Sequence, residues 1–345
     1  MPDVLRKPVE GPSVWVATDF DGDDTWMYRF SPAEVAEVEA AADAVAAKGL
    51  GVGDFGRDDF PLPTLGPRFE AMQHELQHGR GFVQLRGLSV HDDVDHMRIL
   101  YWGIGSYFGN AIEQNGAGHL MADVTDLGYA YNDRNVRGYV TNASLAPHQD
   151  IWSDTVGLLC IRPARTGGAS VVASAMSVYN AIVDEHPEYL DFLARGFFHD
   201  LRGEGSTGAD TEVTAARIPV FDHFAGRLSS CFNSKAIITA PNKTGDPLAD
   251  IEIEALEFIE EVALRPEFHF GIDFQPGDIQ LLNNLTVMHW RTGYEDDPEA
   301  KRLLVRLWLN LHDGRDLSPA LERRSSMGPR KQVNPEASAG LPVGA

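Results

Sequence analysis

The chain has 345 residues, enough for one large domain or two ordinary ones, each with a substantial core. Its 51 acidic residues outnumber 29 lysines and arginines, a formal charge of -22 with no local basic patch, which argues against nucleic acid or an anionic membrane as partner. Cys160 and Cys231 stand outside any metal-ligand spacing, the N-terminus lacks an apolar leader, and no apolar run is long enough to cross a bilayer, so a soluble, cytoplasmic protein is expected.

Ser31, Pro32 and Glu34 supply a cap, a proline at the first helical position and a glutamate at the third. They predict a helix to about residue 48, ended by Gly49 and Gly51. A second helix is predicted over 65–78, after which Gly79 and Gly81 release the chain into a short strand, GFVQLRGL. A third helix is predicted over 94–107. Beyond Asp126 the texture changes to short apolar or alternating runs between turn residues: TVGLLCI, ASVVAS, RIPVF, FHFGIDF, DIQLL and RLLVRLWLN. That spacing predicts a mainly β, α+β fold of jelly-roll or barrel type, with helical insertions near 178–195 and 250–264. With no repeat and no linker, residues 1–320 read as one domain: a helical N-terminal layer at about 30–110 and a β core at about 120–315. The polar, small-residue stretch from 323 to 345 is expected to be disordered.

Residues 74–78, HELQH, match the helical signature of zinc proteases. On a helical wheel, however, Leu65, Phe69, Met72 and Leu76 form the apolar stripe, and His74 and His78 fall on nearly the opposite side. The position six past His78 is Gln84, a poor zinc ligand. The motif therefore reads as a polar helix face, with a zinc hydrolase kept as a rival.

A competing constellation starts at PHQDIWSD, residues 147–154. On a strand His148 and Asp150 would leave the same face and could converge on one ion. Much further on, a Pro-Gly-Asp turn, an apolar strand and an Asn-Asn turn lead to His289. Two imidazoles and one carboxylate on a β scaffold suit non-haem Fe(II) and leave positions open for a bidentate cosubstrate and oxygen. In KRLLVRLWLN, alternation puts Leu303, Val305, Leu307 and Leu309 on one face and Arg302, Leu304, Arg306 and Trp308 on the other. Two arginines on one face, roughly 13 Å apart at about 3.3 Å per residue, call for two separate anions, supplied by ligands or by acids of the protein itself.

The order His148-x-Asp150, GGAS at 167–170, PGD at 276–278, His289, Arg302 and Arg306 resembles the taurine dioxygenase and clavaminate synthase superfamily of Fe(II)/2-oxoglutarate-dependent oxygenases. The likeness runs from FPLPTLGP and GRGFVQLRGL, starting at Phe60, to Leu317. The resemblance implies a double-stranded β-helix, with Fe(II) held by His148, Asp150 and His289, and 2-oxoglutarate and O2 as cosubstrates. Ser170 occupies the place of the hydroxyl residue that touches 2-oxoglutarate, and Arg302 that of the arginine gripping its distal carboxylate. Arg306 matches an arginine that in relatives often contacts an acidic substrate group. Halogenating relatives lack the metal carboxylate, so Asp150 favours hydroxylation. Gln149 stands where many relatives have threonine and should point away from the metal. Asn142 and Trp152 are candidate substrate contacts, and Arg291, beside His289, is read as a surface ion pair in preference to a substrate contact. The expected activity is oxidation of a small, carboxylate-bearing or amino-acid-like molecule with release of succinate and CO2; a non-catalytic jelly-roll binding module is the alternative.

Overall fold

The computed structural model describes residues 4–133, 135–205 and 207–324. Helix α1 (Pro32–Ala47) begins as its capping box dictates: the Ser31 backbone N–H donates to the Glu34 carboxylate at 2.8 Å, and the Glu34 N–H to Ser31 Oγ at 3.4 Å. Helix α2 (Gly66–His78) and helix α3 (Val94–Gly105) follow, close to the predicted ranges.

Ten strands make the two sheets that matter for the site. They are β1 (Met27–Arg29), β2 (Phe82–Arg86), β3 (Gly109–Ala111), β4 (Met121–Val124), β5 (Thr155–Arg162), β6 (Ser170–Ser174), β7 (His269–Ile272), β8 (Ile279–Asn283), β9 (Val287–Arg291) and β10 (Leu303–Leu311). The larger sheet runs β1-β2-β8-β5-β10-β3, with β4 also on β10; only β1 and β2 are parallel. The smaller sheet runs β7-β6-β9, antiparallel throughout. Both sheets bury one face against the other, around Phe82, Val156, Val172, Leu282, Val287 and Trp308. Outside the larger sheet, α1–α3 cover Leu281, Val305, Leu307 and Leu309. Outside the smaller one, α4 (Ala175–Glu185) and α5 (Asp250–Leu264) cover Val171, Ala173, Met288 and Trp290. This is the expected jelly roll, clad in helices on both sides. Among the described residues no helix is long and apolar enough to cross a membrane.

The Pro-Gly-Asp turn sets the start of β8. Gly277 has φ +84°, and a Cβ there would lie 2.0 Å from the Leu88 carbonyl, so only glycine fits. Asp278, fully buried, accepts hydrogen bonds from Arg86 at 2.6 and 2.9 Å and from the Gln275 N–H at 2.8 Å.

Three expectations need correction, and a fourth falls almost wholly outside the described residues. The N-terminal layer is not separate from the β core, because β1, β2 and β3 are strands of the larger sheet. RIPVF is not a regular strand: Ile218 makes a single bridge to Phe197, Pro219 has no N–H, the Val220 N–H goes to the Leu193 carbonyl, and a continuous ladder forms only in the hairpin Phe221–Phe224 and Arg227–Ser230. His148 and Asp150 do not lie on a regular strand, since His148 makes a single bridge to His289 and the next N–H turns away to Phe232. The polar tail expected from 323 lies outside the described residues except at its start. There Arg324 is buried, bonding Asp154 and the Ile151 and Ser153 carbonyls.

Candidate metal centre and its cavity

His148 and His289 exchange both backbone hydrogen bonds, at 2.8 and 3.0 Å, which brings their rings to a centroid separation of 4.6 Å. Asp150 is drawn in by the Asn-Asn turn after β8: its N–H donates to Asn284 Oδ1, while Asn284 also bonds Ser153 and Asp154. Ligand atoms of His148, Asp150 and His289 thus lie within 4.8 Å of one another. Between the two ligands, Gln149 does point away. Its amide donates to the Asn284 carbonyl and accepts from Ser230 and the Phe232 N–H, stitching the site to the segment around Phe232.

The electrostatics suit a cation. Burial would raise the Asp150 carboxyl, but Arg306 and both imidazoles, with a hydrogen bond from Trp308, outweigh it and hold the group well below the usual carboxylate range. Trp308 Nε1 donates to Asp150 Oδ2 at 2.7 Å and Arg306 Nη1 at 3.4 Å, so one carboxylate oxygen is tied and the other is available. Burial, with the neighbouring His148, pushes His289 down to about 3, and burial also lowers His148. Both rings are therefore neutral at physiological pH, the form in which an imidazole can ligate a metal. His148 Nδ1 is hydrogen-bonded to the Ala146 carbonyl at 2.8 Å, which turns its other nitrogen to the centre. Two neutral imidazoles and one ionised carboxylate at such spacing fit mononuclear Fe(II).

The centre faces a cavity also lined by Ser170, Trp152, Arg291, Arg302 and Arg306. Ser170 Oγ donates to Gln280 Oε1 at 2.7 Å. Arg302 is 3 % exposed, its Nη1 has no hydrogen-bond partner, and burial lowers its pKa. A buried fork of this kind fits a carboxylate. Arg291, expected at the surface, is instead buried because strand β9 places it beside His289 facing inward. It donates to the Thr141 and Ala143 carbonyls, keeps Nε and Nη1 unpartnered, and is pushed by burial down to about 10. Arg291 and Arg302 both lie over the Tyr294 ring, at 4.7 and 5.0 Å from its centroid.

The remaining expectations divide. Trp152 lines the cavity, but Asn142 is exposed, outside the lining, and occupied through its carbonyl with the Tyr294 N–H. Arg306 has an acid of the protein, Asp150, and also donates to Gln114 Oε1 at 2.8 Å. In HELQH, His74 and His78 are exposed, Glu75 pairs with Arg80, and the motif gathers no third ligand among the described residues. A second cluster, Glu39, His91 and His96, lies away from the cavity, with the Glu39 carboxylate already hydrogen-bonded to both rings at 2.9 and 3.1 Å. The inward role of Trp308 followed from its sharing a face with Arg306; the signal for Arg291 was its position two residues after His289 on one strand, which puts both on the same face.

A jelly roll with this triad and an adjoining buried arginine defines the class: a non-haem Fe(II)/2-oxoglutarate-dependent oxygenase. The family model for taurine catabolism dioxygenases, the TauD/TfdA family, matches residues 46–308, and the chain belongs to that family. FR-33289 synthase of Streptomyces rubellomurinus (strain ATCC 31215) is 34% identical over 328 residues, 93% of this chain and 96% of that protein. Among solved structures, asparagine oxygenase superposes with a TM-score of 0.64 at 18% identity, over 83% of this chain and 93% of its own. The non-haem iron oxygenase OrfP, solved with Fe and alpha-ketoglutaric acid, does so with a TM-score of 0.60 at 16% identity, over 82% and 93%.

Proposed function

We propose that the chain hydroxylates a small molecule bearing a carboxylate or similar anion, of amino-acid-like type, with release of succinate and CO2. His148, Asp150 and His289 hold the iron, Arg302 grips the distal carboxylate of 2-oxoglutarate, and Ser170 supports that cosubstrate beside it. The observation carrying this reading is the buried Arg302 guanidinium, its Nη1 without a partner, in the same cavity as three converging candidate metal ligands. Iron(II) with bound 2-oxoglutarate supplies the oxidising power, by decarboxylation of the keto acid with O2. Residues of the chain do the rest. Trp308 and Arg306 fix one oxygen of Asp150, leaving the other for the metal. Trp152, Tyr139, Leu158 and Leu304 wall the cavity with apolar surface that excludes water from the reacting carbon. Retention of Asp150 favours hydroxylation over halogenation. The asparagine oxygenase structure holds 3-hydroxyasparagine and succinate together, which supports an amino-acid-like substrate here.

In this reading residues 1–320 act as one domain, and both cysteines, free and buried, suit the reducing cytoplasm. The test is anaerobic titration with Fe(II) and then 2-oxoglutarate. A weak visible charge-transfer band should form in the wild type and be lost in His148→Ala and in His289→Ala. A band persisting in both variants, or missing from the wild type, refutes the assignment. Screening amino acids and acidic metabolites for substrate-dependent succinate then identifies the substrate.

A further inference from the structure

Among the described residues, one group of side chains besides His148, Asp150 and His289 has the donors of a metal site. It consists of Glu39 on α1, His91 just before α3 and His96 in the first turn of α3, with ligand atoms within 4.8 Å of one another. The Glu39 carboxylate offers one oxygen to each ring. Its Oε1 lies 2.9 Å from His91 Nε2 and its Oε2 lies 3.1 Å from His96 Nε2, while the ring centroids are 4.7 Å apart. Both imidazoles thus turn the same nitrogen toward one carboxylate from a segment more than 50 positions away, since 52 residues separate Glu39 from His91. No lysine or arginine lies within 4.0 Å of that carboxylate among the described residues.

The parts are fixed from both sides. Glu39 sits on α1, whose start is set by its capping box, and His96 is set by Asp93, which caps α3 by accepting from the Asp95 and His96 N–H groups at 2.9 and 3.3 Å. Zinc bonds of about 2.0 to 2.1 Å in a tetrahedral site put neighbouring ligand atoms about 3.3 to 3.4 Å apart. The two oxygen–nitrogen separations fall short of that by a few tenths of an ångström, so a small outward shift of each ring admits an ion. What the ion displaces is weak, two hydrogen bonds at a surface where the side chains of Glu39, His91 and His96 keep 22%, 42% and 17% exposure. The same exposure lets water complete the coordination. The positive end of α3 opposes a cation here, and Asp93, its cap, and Asp95, in its first turn, offset that end, although Arg98 answers Asp95 at 2.6 Å. Asp92 adds a further negative charge beside His91.

We propose that Glu39, His91 and His96 form a second metal site, for a zinc-class divalent ion, which joins α1 to the start of α3. Two imidazoles and one carboxylate are donors that zinc accepts, with water in the fourth position, and zinc stands above iron(II) in intrinsic affinity for them. Helices α1 and α3 belong to the layer over Leu281, Val305, Leu307 and Leu309. The ion therefore clamps the cladding on the outer face of the larger sheet, whose inner face carries Arg302, Arg306 and Trp308 toward the iron cavity. The sheet separates the two sites, and the second does not depend on the oxygenase reading of the first.

The probe is Zn(II), titrated into the metal-free full chain in competition with a chromophoric chelator near pH 7.5. The wild type should bind two equivalents, because zinc also enters the site of His148, Asp150 and His289. Loss of even an outer partner of a ligand costs about 10- to 100-fold in metal affinity, so Glu39→Gln, His91→Ala and His96→Ala should each weaken one equivalent at least tenfold. These variants should keep the other equivalent, and also the Fe(II)/2-oxoglutarate charge-transfer band, which shows that they are folded. His148→Ala should lose that other equivalent and keep this one, and His74→Ala should lose neither. A single wild-type equivalent that the three substitutions weaken supports the second site and removes the first. The proposal is overturned when no wild-type equivalent responds to all three, or when the one that responds is also lost on His74→Ala, which puts the ion on α2. Loss of the band in all three variants overturns it as well, since residues beyond the sheet should not be needed for iron loading.

Discussion

Replacing Arg302 by methionine should move two quantities in opposite directions. In the ligand-free protein the guanidinium is buried with Nη1 unpartnered, and burial already disfavours its charge. Methionine keeps much of the stem and removes an uncompensated charge, while the Arg302 backbone N–H still donates to Asp296 Oδ1 at 2.7 Å. Thermal stability without ligands should therefore be unchanged or higher. With 2-oxoglutarate the sign reverses. A charge-assisted, bidentate contact contributes about 1.5 to 3 kcal/mol, so its loss should weaken 2-oxoglutarate binding by about 10- to 150-fold. Iron affinity should stay within about threefold, because none of the three proposed metal ligands is bonded to Arg302. Chelator competition measures the iron term, anaerobic titration of the charge-transfer band measures the 2-oxoglutarate term, and a melting curve measures stability. A loss of 2-oxoglutarate affinity below threefold, or an equal loss of iron affinity, would refute the reasoning.

Trp308→Phe keeps the ring in the core but removes the 2.7 Å donor to Asp150 Oδ2, leaving the longer Arg306 contact. Iron(II) binding should weaken about tenfold, for roughly 1.5 kcal/mol of charge-assisted hydrogen bond; a change below threefold would mean that Arg306 alone orients the carboxylate. His199 is buried with Nε2 unpartnered, and burial pushes it from the ordinary 6.5 down to about 4. Above pH 6.5 both folded and unfolded chains hold it neutral; below, only the unfolded chain takes up the proton until pH approaches 4. Stability is therefore lost on acidification, by about 2 kcal/mol from this residue at pH 5. Urea unfolding of His199→Gln should show a fall between pH 7.5 and 5 that is smaller by that amount, and equal falls would contradict the assignment. His74→Ala should leave metal content and iron affinity unchanged; loss of zinc on that substitution would revive the helix motif as a metal site.

Local signals in the sequence carry much of this structure because the physics behind them is local. The Ser31–Glu34 capping box, the Pro-Gly-Asp turn and the two-residue alternation of β10 each depend on neighbours a few positions away, and each is found where the sequence indicates. Alternation alone placed Arg302, Arg306 and Trp308 on the inward face. The helical wheel of 65–78 likewise disposed of HELQH, since a histidine opposite the apolar stripe faces water. Resemblance then joined His148, Asp150 and His289, which lie up to 141 positions apart and which no local rule could bring together.

Partner choice was decided only by the tertiary structure. Arg306 could have met a ligand or an acid of the protein, and packing gives it Asp150 and Gln114. Arg291 could have been a substrate contact or half of a surface ion pair, and β9 turns it inward to the cavity on the His289 side, leaving part of its fork unpaired. Arg202 and Lys235, which line the same cavity, carry no motif at all. They reach it because Gln149 and the Asp200 backbone tie an irregular insertion against the sheet. Hydrophobic period and turn chemistry are written into short windows of sequence, whereas the charge balance of a cavity is a sum over residues from distant segments and exists only once the chain has closed around it.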